Sequence, residues 1–575
     1  MTTADVGSRA DRLERLLGDP ADADNPFGFA ATLAADEREE VAPGAEQALT
    51  AYRLNAEFVP VAEGGRLDRA DELVDVMRVL YRRDPALGLG YGASTLIAAT
   101  NVWAAGDAAQ RRAAAGLLLA GRRIAVAYHE LAHGNDMAAT EMSARRDGDR
   151  LLLHGRKEVV TNVARADALV LFARTDPAPG RRSHSQLLVD RAALPAGRHR
   201  ELPRFRSVGM RGVQLGGIEF DDCPVDPASL LGAPGQGLET AMRSFQLTRT
   251  ALPAMTTAVL DTGLRVTLDH VLRRRLYGRT AADLPVLRAL LAGAFADLLL
   301  CEAIASAGLR ALHLLPDQTS VYAAAVKYAL ATTLLDTMGQ LATVLGAQFY
   351  LRDGEHAIFQ KLARDLKPVA FGHVSRAACQ MTILPQLPLL ARRSWRDADP
   401  ALDDVFRPGA ELPPLDLGAL RLSTSGRDRV LPSLPAGLSD LGSDPELRGV
   451  RELAELFAGR FRRLTGECAA LTPRELAFPA DATAYDLTGH YVTVFSAACG
   501  FGLWRDAHRR GAGFLGEPHW LHAALARLDA AAAGRPAPVL PTVVEHHLYA
   551  ELLRRHEAGL GLGLVDRPLP ATRRP

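Results

Sequence analysis

Cysteine is scarce in this 575-residue chain: Cys223, Cys301, Cys379, Cys468 and Cys499 are all there is. None forms a C-x-x-C pair and the count is odd, which argues against a disulfide framework and predicts a reducing compartment. Net charge is also missing. Lys+Arg and Asp+Glu both number 67, so a nucleic-acid partner held by bulk positive charge is not expected. No run of about eighteen uncharged apolar residues occurs, so no membrane span is expected. The first residues, Met1-Thr-Thr-Ala-Asp-Val-Gly7, lack the apolar stretch of a secretory leader. Together these absences predict a cytoplasmic protein. What is present is ordinary for a globular chain, 48% hydrophobic and 23% charged, and long enough for two to four domains or subdomains.

The hydrophobic period changes along the chain. Residues 1–122 read as an N-terminal α-helical domain, with helical spacing over Arg69–Tyr81 and Ala108–Ala120 and Gly121 as a C-cap. Residues 123–235 read as a β-domain. Its strands are expected at Arg122–Tyr128, Arg150–His154, Ala168–Phe172 and Gly216–Phe220, with turns at Asp147-Gly148-Asp149, Gly212 and Gly232. Residues 236–395 read as an antiparallel helical bundle with long helices over Thr256–Arg275, Pro285–Leu312 and Val321–Leu345. Residues 396–447, rich in Pro, Asp, Gly and Ser, read as a connector. Residues 448–575 read as a further helical region that ends in a loose tail over Asp566–Pro575. The fold class expected is α+β, mainly α.

One motif invites a metal. His129-Glu130-Leu131-Ala132-His133 reads H-E-x-x-H, which on a helix places two zinc ligands on one face beside a Glu base. Here a strand-like run precedes it and Gly134-Asn135-Asp136, turn chemistry, follows. No third His stands at the extended spacing, and neither Glu141 nor Glu158 is singled out as a third ligand. The peptidase reading is therefore set aside. His519-Trp-Leu-His522 and His546-His547 raise the same question near the C-terminus. Adjacent or i,i+3 His on an ordinary helix are read as packing or surface residues, so no metal is expected there either.

The same stretch resembles the acyl-CoA dehydrogenase family. The family's T-E-P-x-x-G-S-D stands here as His129-Glu130-Leu131-Ala132-His133-Gly134-Asn135-Asp136. Its L-x-G-x-K-x-W-I-T-N stands as Leu153-His154-Gly155-Arg156-Lys157-Glu158-Val159-Val160-Thr161-Asn162. Ser207-Val-Gly-Met-Arg-Gly212, Ile218-Glu-Phe-Asp-Asp-Cys-Pro-Val225, Gly232-Ala-Pro-Gly-Gln-Gly237, Arg274-Arg-Leu-Tyr-Gly278 and Arg364-Asp365-Leu366 follow in the family's order. The resemblance covers roughly residues 25 to 395. It implies an N-terminal helical domain, a central β-domain and a C-terminal four-helix bundle, here with an extra helical region like that of acyl-CoA oxidases. It implies FAD as cofactor, an acyl-CoA or acyl-carrier-protein substrate, and a homodimer or homotetramer. By position, Tyr128, His129, Asn135, Thr161 and Ser375 would line the flavin, Arg274 and Tyr277 would reach a neighbouring subunit's FAD, and Arg249 would meet substrate.

This chain departs from the family pattern at the chemistry. His129 replaces a flavin-facing Thr, Val159 a Trp, and the Gln expected after R-x-x-F-G falls near Pro285. The G-G-x-G turn reads Gly346-Ala347-Gln348-Phe349. The family's base is a Glu in R-D-x-x-x-x-x-x-Y-E-G-T. Counted without a gap from Arg364, that register places Gly372 at the Tyr, His373 at the base and Ser375 at the Thr. Members that carry the base on the bundle helix place it before an Arg, and here the dipeptide is Thr248-Arg249. Asp353 and Glu355, in a nearby loop, are the other carboxylates considered. Two readings stay open. In one, His373 accepts the α-proton, which an imidazole mostly neutral at pH 7 can do, in a flavoenzyme of specialised biosynthesis that desaturates an acyl thioester. In the other, the chain is a non-redox or FAD-deficient member that binds acyl groups or serves as a partner subunit.

Overall fold

The structure, a computed structural model, describes residues 8–396, 402–476 and 482–570. The first residues read for a leader, residues 397–401 of the expected connector and the end of the expected tail, 571–575, lie outside the described residues. Helices make up 59% and strands 11%, so the chain is mainly α, as its period predicts. It divides into two compact units: residues 1–248 with 414–422, and residues 249–413 with 423–575.

The first unit opens with helices α1 (Arg9–Leu17), α2 (Phe29–Glu37), α3 (Pro43–Tyr52), α4 (Ala70–Tyr81), the single turn α5 (Pro85–Leu87), α6 (Ser94–Ala105) and α7 (Ala108–Leu119). Local chemistry sets their ends. Ser8 and Asp11 close a capping box on α1, and Asp107 and Gln110 do so on α7, satisfying first-turn N–H groups that have no helical partner. In α4 the buried Leu73, Val74, Met77, Leu80 and Tyr81 recur at three and four residues, the stripe that makes an amphipathic helix pack.

The strands that follow are β1 (Ile124–Ala127), β2 (Ser143–Asp147), β3 (Arg150–Thr161), β4 (Ala168–Arg174), β5 (His184–Asp190), β6 (His199–Leu202), β7 (Leu215–Val225) and β8 (Leu230–Leu231). They form one sheet in the order β6-β7-β3-β2-β4-β5-β8, with β1 parallel to β4. The β2–β3 hairpin turns at Gly148, where φ is +57°, a conformation glycine adopts without a Cβ clash. Strand β4 is buried along Ala168–Ala173. That explains why Ala168–Phe172 is an unbroken apolar run without alternation.

The second unit is built on three long helices. The helix α8 (Gly237–Arg273) begins in the first unit; α9 (Pro285–Leu314) and α10 (Thr319–Leu345) follow. Sequence period places the start of α8 near Thr256, yet the helix runs from Gly237 straight through Pro253. The proline removes one N–H but does not end the helix, because apolar residues such as Leu247, Ala251, Met255 and Val259 stay buried on both sides of it. Shorter helices α11 (Ile358–Leu366), α12 (Arg376–Ile383) and α13 (Leu387–Arg392) come next. By length and composition α9 is apolar enough to cross a membrane, with a window of mean hydropathy 1.7, but 83% of that window is buried within the protein, the pattern of a core helix.

The expected connector is ordered where described. It carries α14 (Asp403–Phe406) and α15 (Val430–Ala436). Arg310, 1% exposed on α9, donates to the carbonyls of Asp404 and Ala410, and His313 Nδ1 bonds the Pro413 carbonyl. Phe406 lies against Gly502, where a Cβ would come within 2.6 Å of the ring. Asp428 accepts from Trp395 Nε1 and Tyr322 OH, each at 2.9 Å. A Pro/Gly-rich composition marks irregular backbone, and here buried side chains bond the Asp404, Ala410 and Pro413 carbonyls of that backbone. The last helices, α16 (Arg448–Ala470), α17 (Ala482–Arg509), α18 (Pro518–Ala532) and α19 (Thr542–Glu557), share the second unit with α9 and α10. Arg527 of α18 clasps Asp297 of α9 in a two-pronged ion pair.

Inside the first unit, Glu130 is 6% exposed and Lys157 is fully buried. Lys157 Nζ lies 2.7 Å from Glu130 Oε1, which also accepts from the Met142 N–H at 3.0 Å, while Oε2 accepts from Glu141 N–H at 2.8 Å. Lys157 also donates to the Tyr128 carbonyl at 3.1 Å. The pair therefore ties the end of β1, the start of β2 and the middle of β3 together. Burial works against the Glu130 charge, but the ammonium and the two N–H groups outweigh it and hold the carboxyl below its ordinary range. A depressed carboxyl contributes stability that is present above its unfolded pKa and lost as pH falls through the folded value. We expect Lys157→Met to cost about 3–5 kcal/mol, the size seen when one partner of a buried pair is removed. Denaturant unfolding should show this cost at pH 7 and a smaller one when Glu130→Gln is added. Equal costs for the single and the double variant would contradict the pairing.

Candidate active site

The H-E-x-x-H segment is not a helix. His129 forms an isolated antiparallel bridge with Val159, and residues 131–135 are a turn. Glu130 is committed to Lys157 and two backbone amides, so it is not poised as a base. His129 Nδ1 lies 3.0 Å from the Gly134 carbonyl. With Nδ1–H donating there, Nε2 is left as an acceptor. Burial lowers the His129 pKa, which favours the neutral ring. His133 faces Glu141 at 3.4 Å and Glu130 at 3.7 Å. Among the described residues, His129 and His133 join no metal-sized cluster.

The other first-unit residues expected at the flavin divide by burial. Tyr128 is 2% exposed, and its hydroxyl donates to Asn101 Oδ1 at 2.7 Å, which also accepts from Ser244 Oγ at 2.8 Å. Its ring leans on Phe172 and Phe245. Tyr128 thus packs the sheet edge against α6 and α8. Thr161 closes β3 half-buried, and no hydrogen bond within the described chain uses its hydroxyl. Asn135 is exposed in the turn. The next residue, Asn162, is a clamp: at φ +62° its amide reaches Ser94 Oγ at 3.1 Å and also the Gly90 carbonyl.

In the second unit, Arg274 follows α8 and is exposed. Tyr277 is 92% exposed at the tip of the hairpin formed by β9 (Arg275–Leu276) and β10 (Arg279–Thr280). Both tip residues, Tyr277 and Gly278, have positive φ, as a two-residue hairpin turn requires. Glu355, one of the two loop carboxylates, is engaged by Arg273. Pro285 is the first residue of α9, where a missing N–H costs nothing. The late R-D pair is a buried ion cluster: Asp365 accepts from Lys361 Nζ at 2.7 Å and Arg364 Nε at 3.0 Å.

The base register lies in a short loop after α11. Gly372 N–H donates to the Pro368 carbonyl at 2.6 Å, and a Cβ on Gly372 would sit 2.8 Å from that oxygen. A tyrosine therefore does not fit this backbone. His373 is half-buried with φ +65°, a left-handed conformation rare for a non-glycine residue. Ser375 caps α12, its Oγ accepting from the Ala378 N–H at 3.3 Å.

Beneath this loop lies a residue that motif reading missed. Lys327, 3% exposed on α10, donates from Nζ to the Gly372 carbonyl at 3.2 Å. Arg249, 6% exposed on α8, reaches Thr382 Oγ1 at 3.3 Å. Burial pushes the Lys327 pKa down to about 8; Arg249 adds to this and the Cys379 thiol opposes it. Burial likewise lowers Arg249. Among the described residues, the charged or ionisable groups that act on Lys327 are Arg249 and Cys379. Buried positive charge thus lies beneath the loop where the resemblance leads one to expect the base. The signal was in the sequence, since Lys327 is the sole charge in the buried run Val321–Leu330.

Comparison with known proteins follows the same outline. Residues 125–223 match the family model described as acyl-CoA dehydrogenase, middle domain, and residues 235–373 match its C-terminal domain. The mitochondrial isovaleryl-CoA dehydrogenase of Pongo abelii is 27% identical over 246 residues, 42% of this chain and 57% of that enzyme. The chain thus spans somewhat more than half the length of the curated relative it matches. The butyryl-CoA dehydrogenase of Megasphaera elsdenii superposes with a TM-score of 0.59 at 16% identity, covering 66% of this chain and 98% of that one. The prolyl acyl carrier protein oxidase AnaB does so with a TM-score of 0.59 at 17% identity, covering 66% and 97%. These structural likenesses establish the fold.

Lys327 supplies a test of the cationic site. Its folded pKa near 8 lies below the ordinary lysine value of 10.5, so between those pH values the unfolded chain holds a proton that the folded chain does not. Stability contributed by this group should rise with pH across that window, by up to about 3 kcal/mol. Urea unfolding of wild type and Lys327→Met should show wild type gaining on the variant from pH 8 to 10.5. A difference that stays flat over the window would contradict a buried, depressed lysine.

Proposed function

We infer that the chain, through residues 125–223 and 235–373, belongs to the acyl-CoA dehydrogenase family, whose members are flavin-dependent oxidoreductases. On that footing we propose that it is a FAD-dependent dehydrogenase or oxidase that desaturates an acyl thioester carried on CoA or a carrier protein. The observation that carries this reading is His373. It stands, by the resemblance, in the register of the family's base, half-buried, in a left-handed backbone conformation uncommon for a non-glycine residue. The Lys327 hydrogen bond to the preceding carbonyl ties down that loop. A neutral imidazole is the form that can accept the α-proton.

The residues present fit a flavin. Thr161 offers a half-buried hydroxyl with no partner in the described chain, His129 offers a neutral ring with an acceptor nitrogen, and Asn135 an exposed amide. The exposed Arg274 and the nine-tenths exposed Tyr277 suit a reach to a neighbouring subunit's FAD, the Arg to its pyrophosphate, in a homodimer or homotetramer. The chemistry FAD supplies when bound is acceptance of a hydride. The chain's own part is to hold the thioester, take the α-proton at His373, and oppose the negative charge that develops on the thioester oxygen. The Arg249 and Lys327 cations serve that last role. A cytoplasmic place in specialised biosynthesis completes the proposal.

Two observations favour a second reading, a non-redox or FAD-deficient acyl-binding member. The base register holds His373 and no carboxylate, and Val159 stands where the family pattern has an aromatic residue. Anaerobic bleaching of the flavin by an acyl thioester separates the two. We expect wild type to bleach, His373→Ala to bleach at least about 100-fold more slowly, and His373→Glu to recover part of the rate. Unchanged bleaching in His373→Ala would remove His373 from the chemistry.

A further inference from the structure

The C-terminal helices bring together three side chains that the sequence keeps apart. Glu517 stands just before α18, His519 in its first turn and His547 in α19. One ligand atom from each lies within 4.8 Å of the other two. His519 and His547 stack with ring centroids 4.2 Å apart, and Phe514 covers His547 at 5.8 Å. Of the four histidines that drew notice in this region, the fold selects His519 and His547 and leaves out His522 and His546.

The polar atoms here are only partly satisfied. His519 Nδ1 is buried without a hydrogen-bond partner, while Glu517 Oε2, which makes no regular hydrogen bond, is in ion-pair contact with His547 Nε2. Leaving such groups unmatched is costly, and a cation would engage them together. The ledge that carries Glu517 is held from several sides. Trp504 Nε1 donates to the Glu517 carbonyl at 3.1 Å, Trp520 Nε1 to the Leu515 carbonyl at 2.9 Å, and His508 Nδ1 meets the Gly516 carbonyl at 2.8 Å. The Glu517 and His547 side chains are 44% and 35% exposed, so an ion can enter and water can complete its shell.

We propose that Glu517, His519 and His547 form a zinc site that pins α19 to the start of α18. Two imidazoles and one carboxylate are a zinc donor set, and three protein ligands leave one position for water. Donors at bond lengths near 2.1 Å around a tetrahedral ion lie about 3.4 Å apart, so the ligand atoms must adjust from their present spacing and the stacked rings must turn to aim one nitrogen each at a common ion. The inference rests on the C-terminal helices alone and is independent of the flavin reading.

The test is metal analysis of the full-length protein, stripped with chelator, reloaded with Zn2+ and dialysed. We expect one tightly held zinc per chain, a rise in unfolding temperature on reloading, and at least roughly tenfold weaker binding in His519→Ala and Glu517→Gln. His522→Ala should keep the metal. So should His154→Ala, which breaks the exposed set of His154, Asp221 and Asp222. A tetrahedral spectrum of the Co2+-loaded wild type provides the same test without any substitution. Absence of retained zinc in wild type, a Co2+ spectrum of free aqueous ion, or loss of zinc in His154→Ala but not in His519→Ala would each overturn the site.

Discussion

The buried pair of Glu130 and Lys157 is the constraint on which the first unit's site depends. A charged lysine with no exposure is tolerable only if paired and hydrogen-bonded, and Glu130 supplies that with one oxygen while its two oxygens take the amides of Glu141 and Met142. The carboxylate thereby fixes how the chain leaves β1, turns through residues 131–135 and enters β2. His129, Asn135 and, through the Lys157 contact to its carbonyl, Tyr128 inherit their places from it. This accounts for a pattern in the departures. The residues of the motif that build the turn, Glu130, Gly134 and Lys157, keep the family's identity. Of those expected at a cofactor, His129 and Val159 do not, whereas Thr161 does.

A second constraint governs the other unit. A lysine and an arginine are buried at Lys327 and Arg249, and the charged or ionisable groups acting on Lys327 are Arg249 and Cys379. Desolvation disfavours such charges, so their retention asks for a use. Negative charge that forms during thioester chemistry is one that fits. On the proposed reading, the loop that the resemblance places at the base is tied by its Gly372 carbonyl to Lys327.

Much of the fold was legible because long elements announce their period. Residues Pro285–Leu312 and Val321–Leu345 correspond to α9 and α10 almost to the residue, and the apolar run at 168–172 to β4. Less legible were features decided by side chains distant in sequence. Pro253 reads as a break, yet α8 passes through it, because tertiary burial outweighs one missing N–H. The region 396–447 reads as a connector from its composition; only the fold brings Arg310 and His313 to its carbonyls. At the site, spacing singled out His373 as a candidate and the H-E-x-x-H decoy. It did not find the partner of Glu130, the Asn162 clamp or Lys327, since each works through a contact that spans 27 to 72 positions. The pairing of His519 with His547 was hidden for the same reason.

The central proposal is that this chain binds FAD on an acyl-CoA dehydrogenase fold and uses His373, with buried cations nearby, where the family pattern has a glutamate. Its most direct test is the visible absorbance spectrum of the purified protein before and after addition of FAD. The account predicts a flavin band that is present on purification or restored by FAD and survives gel filtration. A protein that stays colourless and leaves added FAD behind on the column would contradict it.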